Sequence, residues 1–314
     1  MKEKILFIVN PISGHHDKSK FPSMVDELID KDKYEYTITL TEYAGHAAEL
    51  TKQAIENQYD IIVAVGGDGT INEVATNMIG ARQTFAIVPY GSGNGLARHM
   101  HLPLKPKKVI TEVINKGVKS KIDTATMNGV PYISIAGVGF DAIIADYFAK
   151  DPSRGIKTYV KLVTERYFKF KPERYHLILD DKEELDCEPL FISFANSNQF
   201  GSNAVVSPHA SLNDGLLDVC IFKKPSFIQV PWIAERLLTS KIDHTKIVDI
   251  HKASKIRVIR EKEDIANVDG EAVMMAKDIT MEILPLSLNV MLPAPRHFER
   301  SRDLSFAKAF TFGE

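Results

Sequence analysis

"AVGGDGTINEV", residues 64–74, decides how the first half of this chain folds. The apolar run DIIVAV (60–65) leads into it and INEVATNMI (71–79) continues from it, so three glycines sit where a buried strand gives way to a helix. Glycine allows positive φ or close approach of backbone to a neighbour. A strand, a glycine turn and a helix N-terminus in that order hold phosphates on backbone amides. Asp68 is the odd member. A carboxylate repels a bare phosphate, so its presence implies a cation between them, and an oxygen-only donor set points to Mg²⁺. The same residues also fit a plainer arrangement, a helix capped by Asp68 with glycines serving only a tight turn.

Outward from this stretch, apolar runs and helical periods alternate. KILFIV (4–9), YEYTITL (34–40) and FAIVPY (85–90) read as strands; FPSMVDELID (21–30), GHAAELTKQAIEN (45–57) and GLARHM (95–100) read as helices. In the first helix Phe21, Met24, Val25, Leu28 and Ile29 fall on one face. Such alternation predicts a parallel sheet covered by helices, with ligands beyond the carboxyl ends of its strands. Two further loops fall at those ends, NPISGHH (10–16) and PYGSGNGLARH (89–99). Either alone is ordinary turn chemistry, but three at one sheet edge are harder to explain as turns.

Beyond about Asp123 the pattern becomes mostly β, in VPYISIAGVGF (130–140), RYHLILD (174–180), CEPLFISFANSNQF (187–200), LLDVCIFKK (216–224), SKIRVIR (254–260) and MEILPLSLNVML (281–292). Helices are expected over 141–168 and in PSFIQVPWIAERLLTS (225–240), where Pro231 should open the helix. Residues 1–125 are therefore read as an α/β domain and 126–295 as a β-rich one, with the unpatterned tail 296–314 able to lie back on the first.

Composition narrows the partners. In 314 residues, 44% are hydrophobic and 25% charged, with a net charge of −2, which excludes disorder and offers nucleic acid no attraction. Cys187 and Cys220 are too few for a disulfide scaffold, and the N-terminal apolar run stops at Asn10-Pro11, short of a signal or a membrane span. These point to a cytoplasmic protein whose contact with a membrane, if any, is peripheral at the inner surface. Lysines crowd the helix-like KPKKVITEVINKGVKSK (105–121); a solvated face is favoured over headgroup binding. His15, His16, His99 and His101 lack zinc spacing and read as loop or surface residues. Nothing in the sequence sets an oligomeric state.

NPISG (10–14), GGDGTINEV (66–74), PYGSGNGLARH (89–99), AGVGFDA (136–142), LNDGLLDV (212–219) and VDGE (268–271), in this order, resemble the diacylglycerol kinase catalytic domain family, particularly its bacterial soluble lipid kinases, with sphingosine kinases as relatives. The resemblance spans nearly the whole chain. It implies an α/β nucleotide-binding domain like that of phosphofructokinase and NAD kinase, in three layers, followed by a β-sandwich. It implies ATP as phosphoryl donor against Asn10, Pro11, Ile12, Ser13, Gly14, Thr41, Gly66, Gly67, Asp68, Gly69, Thr70, Ile71, Asn72, Glu73 and Ser92. Asp68 would hold the nucleotide's Mg²⁺ through water, Asp123 would support an acidic network, and Glu271 would be the catalytic base. A structural Mg²⁺ would lie among Ser211, Asp214 and the Leu216 carbonyl. Locally, VDGE and LNDG also read as plain turns.

One position departs from the pattern. Many bacterial members carry Asp after the Asn of GSGN, and this chain has Gly95, closer to the sphingosine kinase version. The implied acceptor is thus a lipid hydroxyl, on diacylglycerol, a sphingoid base or a related lipid presented at a membrane. Two alternatives stand beside it. An NAD kinase-like enzyme is disfavoured by GSGNGLAR and VDGE, and a non-catalytic nucleotide- or lipid-binding protein is disfavoured by the intact Asp68 and Glu271.

Overall fold

A computed structural model describes residues 2–14, 18–151 and 156–295, and they divide into two compact units. One holds the chain up to Asp123 together with residues from Pro285 on; the other is Thr124–Leu284. The tail expected to lie on the first domain falls outside the described residues.

Unit one alternates β1 (Glu3–Val9), α1 (Phe21–Leu28), β2 (Tyr34–Leu40), α2 (His46–Glu56), β3 (Ile61–Gly66), α3 (Asp68–Thr76), β4 (Thr84–Pro89), α4 (Gly95–His99) and α5 (Pro106–Lys108). Strands β3 and β4 are buried along their whole length, as strands covered on both faces must be, which is why they read as unbroken apolar runs. The sheet order is β2-β1-β3-β4, all parallel, so the winding reverses between β1 and β3. Val9 lies opposite both Leu40 and Val65, and the loops that follow these three strands start level with one another. The Asn10 amide donates to Val65 O (3.0 Å) and that of Thr41 to Val9 O (2.8 Å), which keeps them level past the last paired residue.

The lysine-rich stretch is only half helical. After α5 a π-turn covers Val109–Ile114, burying Val109, Ile110, Val113 and Ile114, and three residues separate it from β5 (Val118–Met127). Gly117 makes the change of direction possible: a Cβ there would lie 2.2 Å from Val113 O and 2.5 Å from Leu292 O. Lys107, Lys108, Lys116, Lys119 and Lys121 are all exposed, as a solvated face requires.

Unit two is a β-sandwich. Its strands are the rest of β5, β6 (Val130–Tyr132), β7 (Ile135–Gly139), β8 (Tyr175–Leu179), β9 (Glu183–Cys187), β10 (Phe191–Ala195), β11 (Leu217–Phe222), β12 (Val248–Ala253), β13 (Lys255–Arg260), β14 (Asp264–Val268), β15 (Glu271–Met275) and the first part of β16 (Asp278–Leu292). One sheet runs β12-β11-β10-β7-β14-β15, antiparallel throughout. In the other layer β13 pairs with β16 and β8, and β8 with β9. Val138, Phe194 and Val219 of the first sheet and Leu177, Val258 and Met281 of the second join one buried core. Helices α6 (Phe140–Lys150), α7 (Ile156–Tyr167) and α8 (Val230–Leu238) complete the unit, and Pro231 stands in the first turn of α8.

VPYISIAGVGF forms two strands instead of one. The Asp269 carboxylate accepts the amides of Ile133 (2.7 Å), Ser134 and Ile135 (both 2.9 Å), pulling the chain out of pairing between β6 and β7. The chain leaves unit two within β16, where Leu286 takes a left-handed φ of +47° after Pro285. A branched side chain seldom adopts that φ. The wholly buried Asp123 holds it there, its Oδ1 accepting the Leu286 amide at 2.7 Å.

Candidate functional site

Three loops meet at the carboxyl edge of the parallel sheet, and they meet backbone to backbone. A Cβ on Gly14, whose φ is +68°, would fall 1.9 Å from Tyr90 O. One on Gly91 would fall 2.7 Å from the Gly67 Cα and 2.8 Å from Asn94 Oδ1. Gly66 is closed off by the Thr70 side chain at 2.7 Å. Protein packing therefore accounts for Gly14, Gly66, Gly67 and Gly91. Gly69 differs: a Cβ there would meet nothing within 4 Å, and the residue is exposed in the first turn of α3.

The helix begins at Asp68, with Gly67 as an extended N-cap and no side-chain cap. Asp68 therefore does not cap it. Its carboxylate instead crosses to the neighbouring loop, where Oδ2 accepts the Asn94 amide (2.9 Å) and Oδ1 the Gly95 amide (2.8 Å). Gly95 thus meets Asp68 through its backbone amide. The opening turn of α3 leaves the amides of Asp68, Gly69 and Thr70 with no carbonyl one turn back, and the helix dipole is positive at this end. These are the groups that can take an anion.

Asn10 ties the first loop to this helix: Nδ2 donates to Thr70 Oγ1 (3.0 Å) and Oδ1 accepts the Ile12 amide (3.1 Å). Pro11, Ile12 and Gly14 are exposed, Ser13 and Thr41 half-buried, and Ser92 exposed, so side chains or amides from all three loops face the same edge. Ile71 is not among them. Its side chain is buried and its amide donates to Gly67 O (3.0 Å), leaving nothing to offer a ligand. Asn72 and Glu73 stand further along α3, half-buried. Lys18 escaped the sequence analysis. It is buried, donates to Ser13 O and sets its Nζ 5.0 Å from the centre of the Tyr90 ring; burial lowers its pKa. No spacing rule links Lys18 to Tyr90 across 72 positions.

In unit two, Asp269 (φ +50°) and Gly270 (φ +93°) form a two-residue hairpin between β14 and β15, with Glu271 opposite Val268. Glu271 is exposed at the start of β15. Its turn is tied down on both sides, by the three amides on Asp269 and by the Gly270 amide on Asn267 Oδ1 (2.8 Å). Asn267 Nδ2 reaches back to Asp141 Oδ2 (3.3 Å), a carboxylate packed over Gly137, where a Cβ would come within 2.3 Å of it. Burial raises the Asp141 pKa from 3.8 to about 7. The motif AGVGFDA contained this residue, but its burial could not be read from neighbours in sequence.

Ser211, Asp214 and Leu216 share one turn, in which both Asp214 oxygens are engaged within the protein. Asp214 Oδ2 is 2.8 Å from Lys252 Nζ and Oδ1 accepts the Leu216 amide (3.2 Å), while Ser211 Oγ donates to Asn213. Lys252 also reaches Asp218 Oδ1 (3.1 Å), its cross-strand partner, so one ammonium is shared between two carboxylates at this corner. Among the described residues no group of three or more His, Cys, Asp or Glu is arranged to hold a metal. His99 is likewise not a surface residue: it is buried in α4, which lowers its pKa to about 3 and keeps it neutral. His15 and His16 fall outside the described residues.

Comparison with known proteins agrees with this geometry. Residues 4–127 match the family model "Diacylglycerol kinase catalytic domain", and residues 134–292 match "YegS C-terminal NAD kinase beta sandwich-like domain". A diacylglycerol kinase of Bacillus subtilis is 28% identical over 84% of this chain and 88% of its own. One of Staphylococcus saprophyticus is 29% identical over 86% and 90%. Among solved structures, a diacylglycerol kinase of Bacillus anthracis superposes with a TM-score of 0.70 at 19% identity, covering 94% of this chain and 98% of that one. An NAD kinase of Archaeoglobus fulgidus in complex with ATP gives 0.52 at 16% identity, covering both chains in full. At these identities the two structures establish the fold.

The glycines separate by substitution. In urea denaturation Gly91→Ala should cost on the order of 1–3 kcal/mol through overpacking, whereas Gly69→Ala should be neutral or stabilise by up to about 1 kcal/mol. Equal losses would contradict the division drawn here. Asp141 makes a separate test. The unfolded chain releases this proton near 3.8 and the folded chain near 7, so between those values the fold binds more protons and loses stability as pH rises. Stability curves of Asp141→Asn should lack that slope.

Proposed function

Because the chain belongs to the diacylglycerol kinase catalytic domain family and is a kinase, we propose that it transfers the γ-phosphate of ATP to a lipid hydroxyl, on diacylglycerol, a sphingoid base or a related lipid. The observation that carries this reading is the start of α3, where an exposed glycine and uncapped amides meet a carboxylate fixed by the neighbouring loop. Amides of Gly69 and Thr70 bind and orient the phosphate chain, with the exposed NPISG turn and Ser92 along the same edge. Asn72 and Asn94 each keep a buried Oδ1 without a hydrogen-bond partner among the described residues, acceptors suited to an adenine amine or ribose hydroxyl. The archaeal NAD kinase of related fold is itself an ATP complex.

A divalent cation bound with the nucleotide supplies charge neutralisation on the phosphate oxygens, and Asp68 is the side chain that would hold it, through water, since phosphates and water furnish most of its ligands. Asp68 fits this part: it is exposed, and each of its oxygens accepts one backbone amide, leaving acceptor capacity. Asp123, buried and bound to Leu286, supports the strand that carries it.

Glu271 takes the proton of the acceptor hydroxyl as its oxygen forms a bond to the γ-phosphorus and ADP departs. The tied hairpin keeps that carboxylate in one place, so little order has to be gained during reaction. Relatives named diacylglycerol kinase support a lipid acceptor. Gly95 keeps the choice of lipid wider than diacylglycerol alone.

Transfer of labelled γ-phosphate into a total lipid extract tests the assignment. Wild type should yield a labelled lipid, and Glu271→Gln should lose it by a factor of about 10² or more while still binding ATP. A labelled product of undiminished intensity from the variant would remove Glu271 from this role, and labelling of NAD in place of lipid would favour the NAD kinase chemistry.

A further inference from the structure

Two short stretches of unit two, RYFKFK (166–171) and KKPSFI (223–228), interleave cations with apolar side chains, and the fold lays them together. The Phe168 and Phe227 rings are 4.7 Å apart, Tyr167 Oη donates to Pro225 O, and Lys224 Nζ donates to Phe170 O at 2.6 Å. Tyr167 and Phe140 face inward into a small core with Ile144 and Leu162. Phe168 faces the other way, 66% exposed, with Phe227 at 46% and Ile228 at 89%. Trp232, in the first turn of α8 and four residues beyond Ile228, is 40% exposed, while Ile233 alone of that helix is buried. Ser226 and Gln229 form a capping box around Phe227 and Ile228, which fixes the direction in which they point. None of these four side chains is needed to bury the core.

We propose that this face docks on an anionic bilayer, with Phe168, Phe227, Ile228 and Trp232 entering the headgroup region and Lys169, Lys171 and Lys224 meeting lipid phosphates. Contiguous exposed apolar groups mark a contact surface, aromatic rings favour the interface of a membrane, and lysines beside them are drawn to anionic lipid. Acids near the patch are already engaged, Glu165 with Lys161 and Glu173 with Lys262. Charge argues against the other occupants. Residues 296–314 carry four cations and three carboxylates and so do not complement a basic rim, and a second copy would bring the same lysines face to face. The inference rests on the lipid kinase reading, because an acceptor with acyl chains has to be met where it resides.

Trp232 is the chain's one tryptophan, so its fluorescence reports on this face alone. The full-length protein is titrated with vesicles of phosphatidylcholine, pure or mixed with phosphatidylglycerol. Mixed vesicles should shift the emission to the blue, brominated acyl chains should quench it, and Phe227→Ser with Ile228→Ser should weaken binding about tenfold or more. Lys169→Glu with Lys171→Glu should weaken binding to the mixed vesicles alone. An unshifted Trp232, or variants that bind as wild type does, overturns the proposal. So does emission that depends on protein concentration without lipid, which would assign the face to a second copy, or emission altered by Phe306→Ser with Phe310→Ser, which would assign it to the tail. Turnover separates this from the kinase reading. Phe227→Ser with Ile228→Ser should phosphorylate detergent-dispersed lipid normally and vesicular lipid poorly. Wild type that docks but phosphorylates no lipid defeats the kinase reading and leaves the surface standing, and variants unimpaired on vesicles do the reverse.

Discussion

Asp68 bridging the amides of Asn94 and Gly95 is the contact on which the loop edge of the parallel sheet depends. α4 is five residues long, too short to hold its own start in place. Hydrogen bonds to a charged group contribute about 1.5–3 kcal/mol when sheltered and less at an exposed carboxylate. They are enough to choose among loop positions, provided the backbones are already close. The glycines bring them close: Gly67 and Gly91 let two turns touch where side chains would hold them apart. Packing and electrostatics thus produce one object, an anion-accepting helix start with a carboxylate at its rim.

That reading divides labour among glycines that look alike on paper. Gly14, Gly66, Gly67 and Gly91 are consumed by contacts within the protein, and Gly69 opens outward. A carboxylate in unit two is held in a similar way. Glu271 follows a left-handed Asp-Gly pair whose aspartate accepts the amides of Ile133, Ser134 and Ile135. In both places the exposed carboxylate has neighbours that are themselves hydrogen-bonded in place.

Much of this was legible in the amino-acid order because the physics is local. β1, β3 and β4 are buried and therefore apolar, Pro231 can only open a helix, and Asp-Gly between strands makes a hairpin. What escaped depends on partners far apart in the chain. Asp68 was expected to cap or to face a cation, and its amide partners lie 26 and 27 residues on. The pairing of Asp214 with Lys252, 38 residues away, has no local signal either. Ile71 belonged to a phosphate motif by position but is turned inward by helical phase, and His99 in a polar-looking loop is buried by the short helix α4. The left-handed Leu286, at the second passage between units, is visible only once Asp123 is seen holding its amide.

The central claim is that the loop joined by Asp68 grips a nucleotide triphosphate. Isothermal titration of ATP with Mg²⁺ into wild type and Asp68→Ala tests it most directly. Saturable heat with wild type, lost or reduced at least tenfold in a variant that keeps its circular dichroism, is the expected result. No heat from the wild type, or equal affinity in the two, would contradict the account.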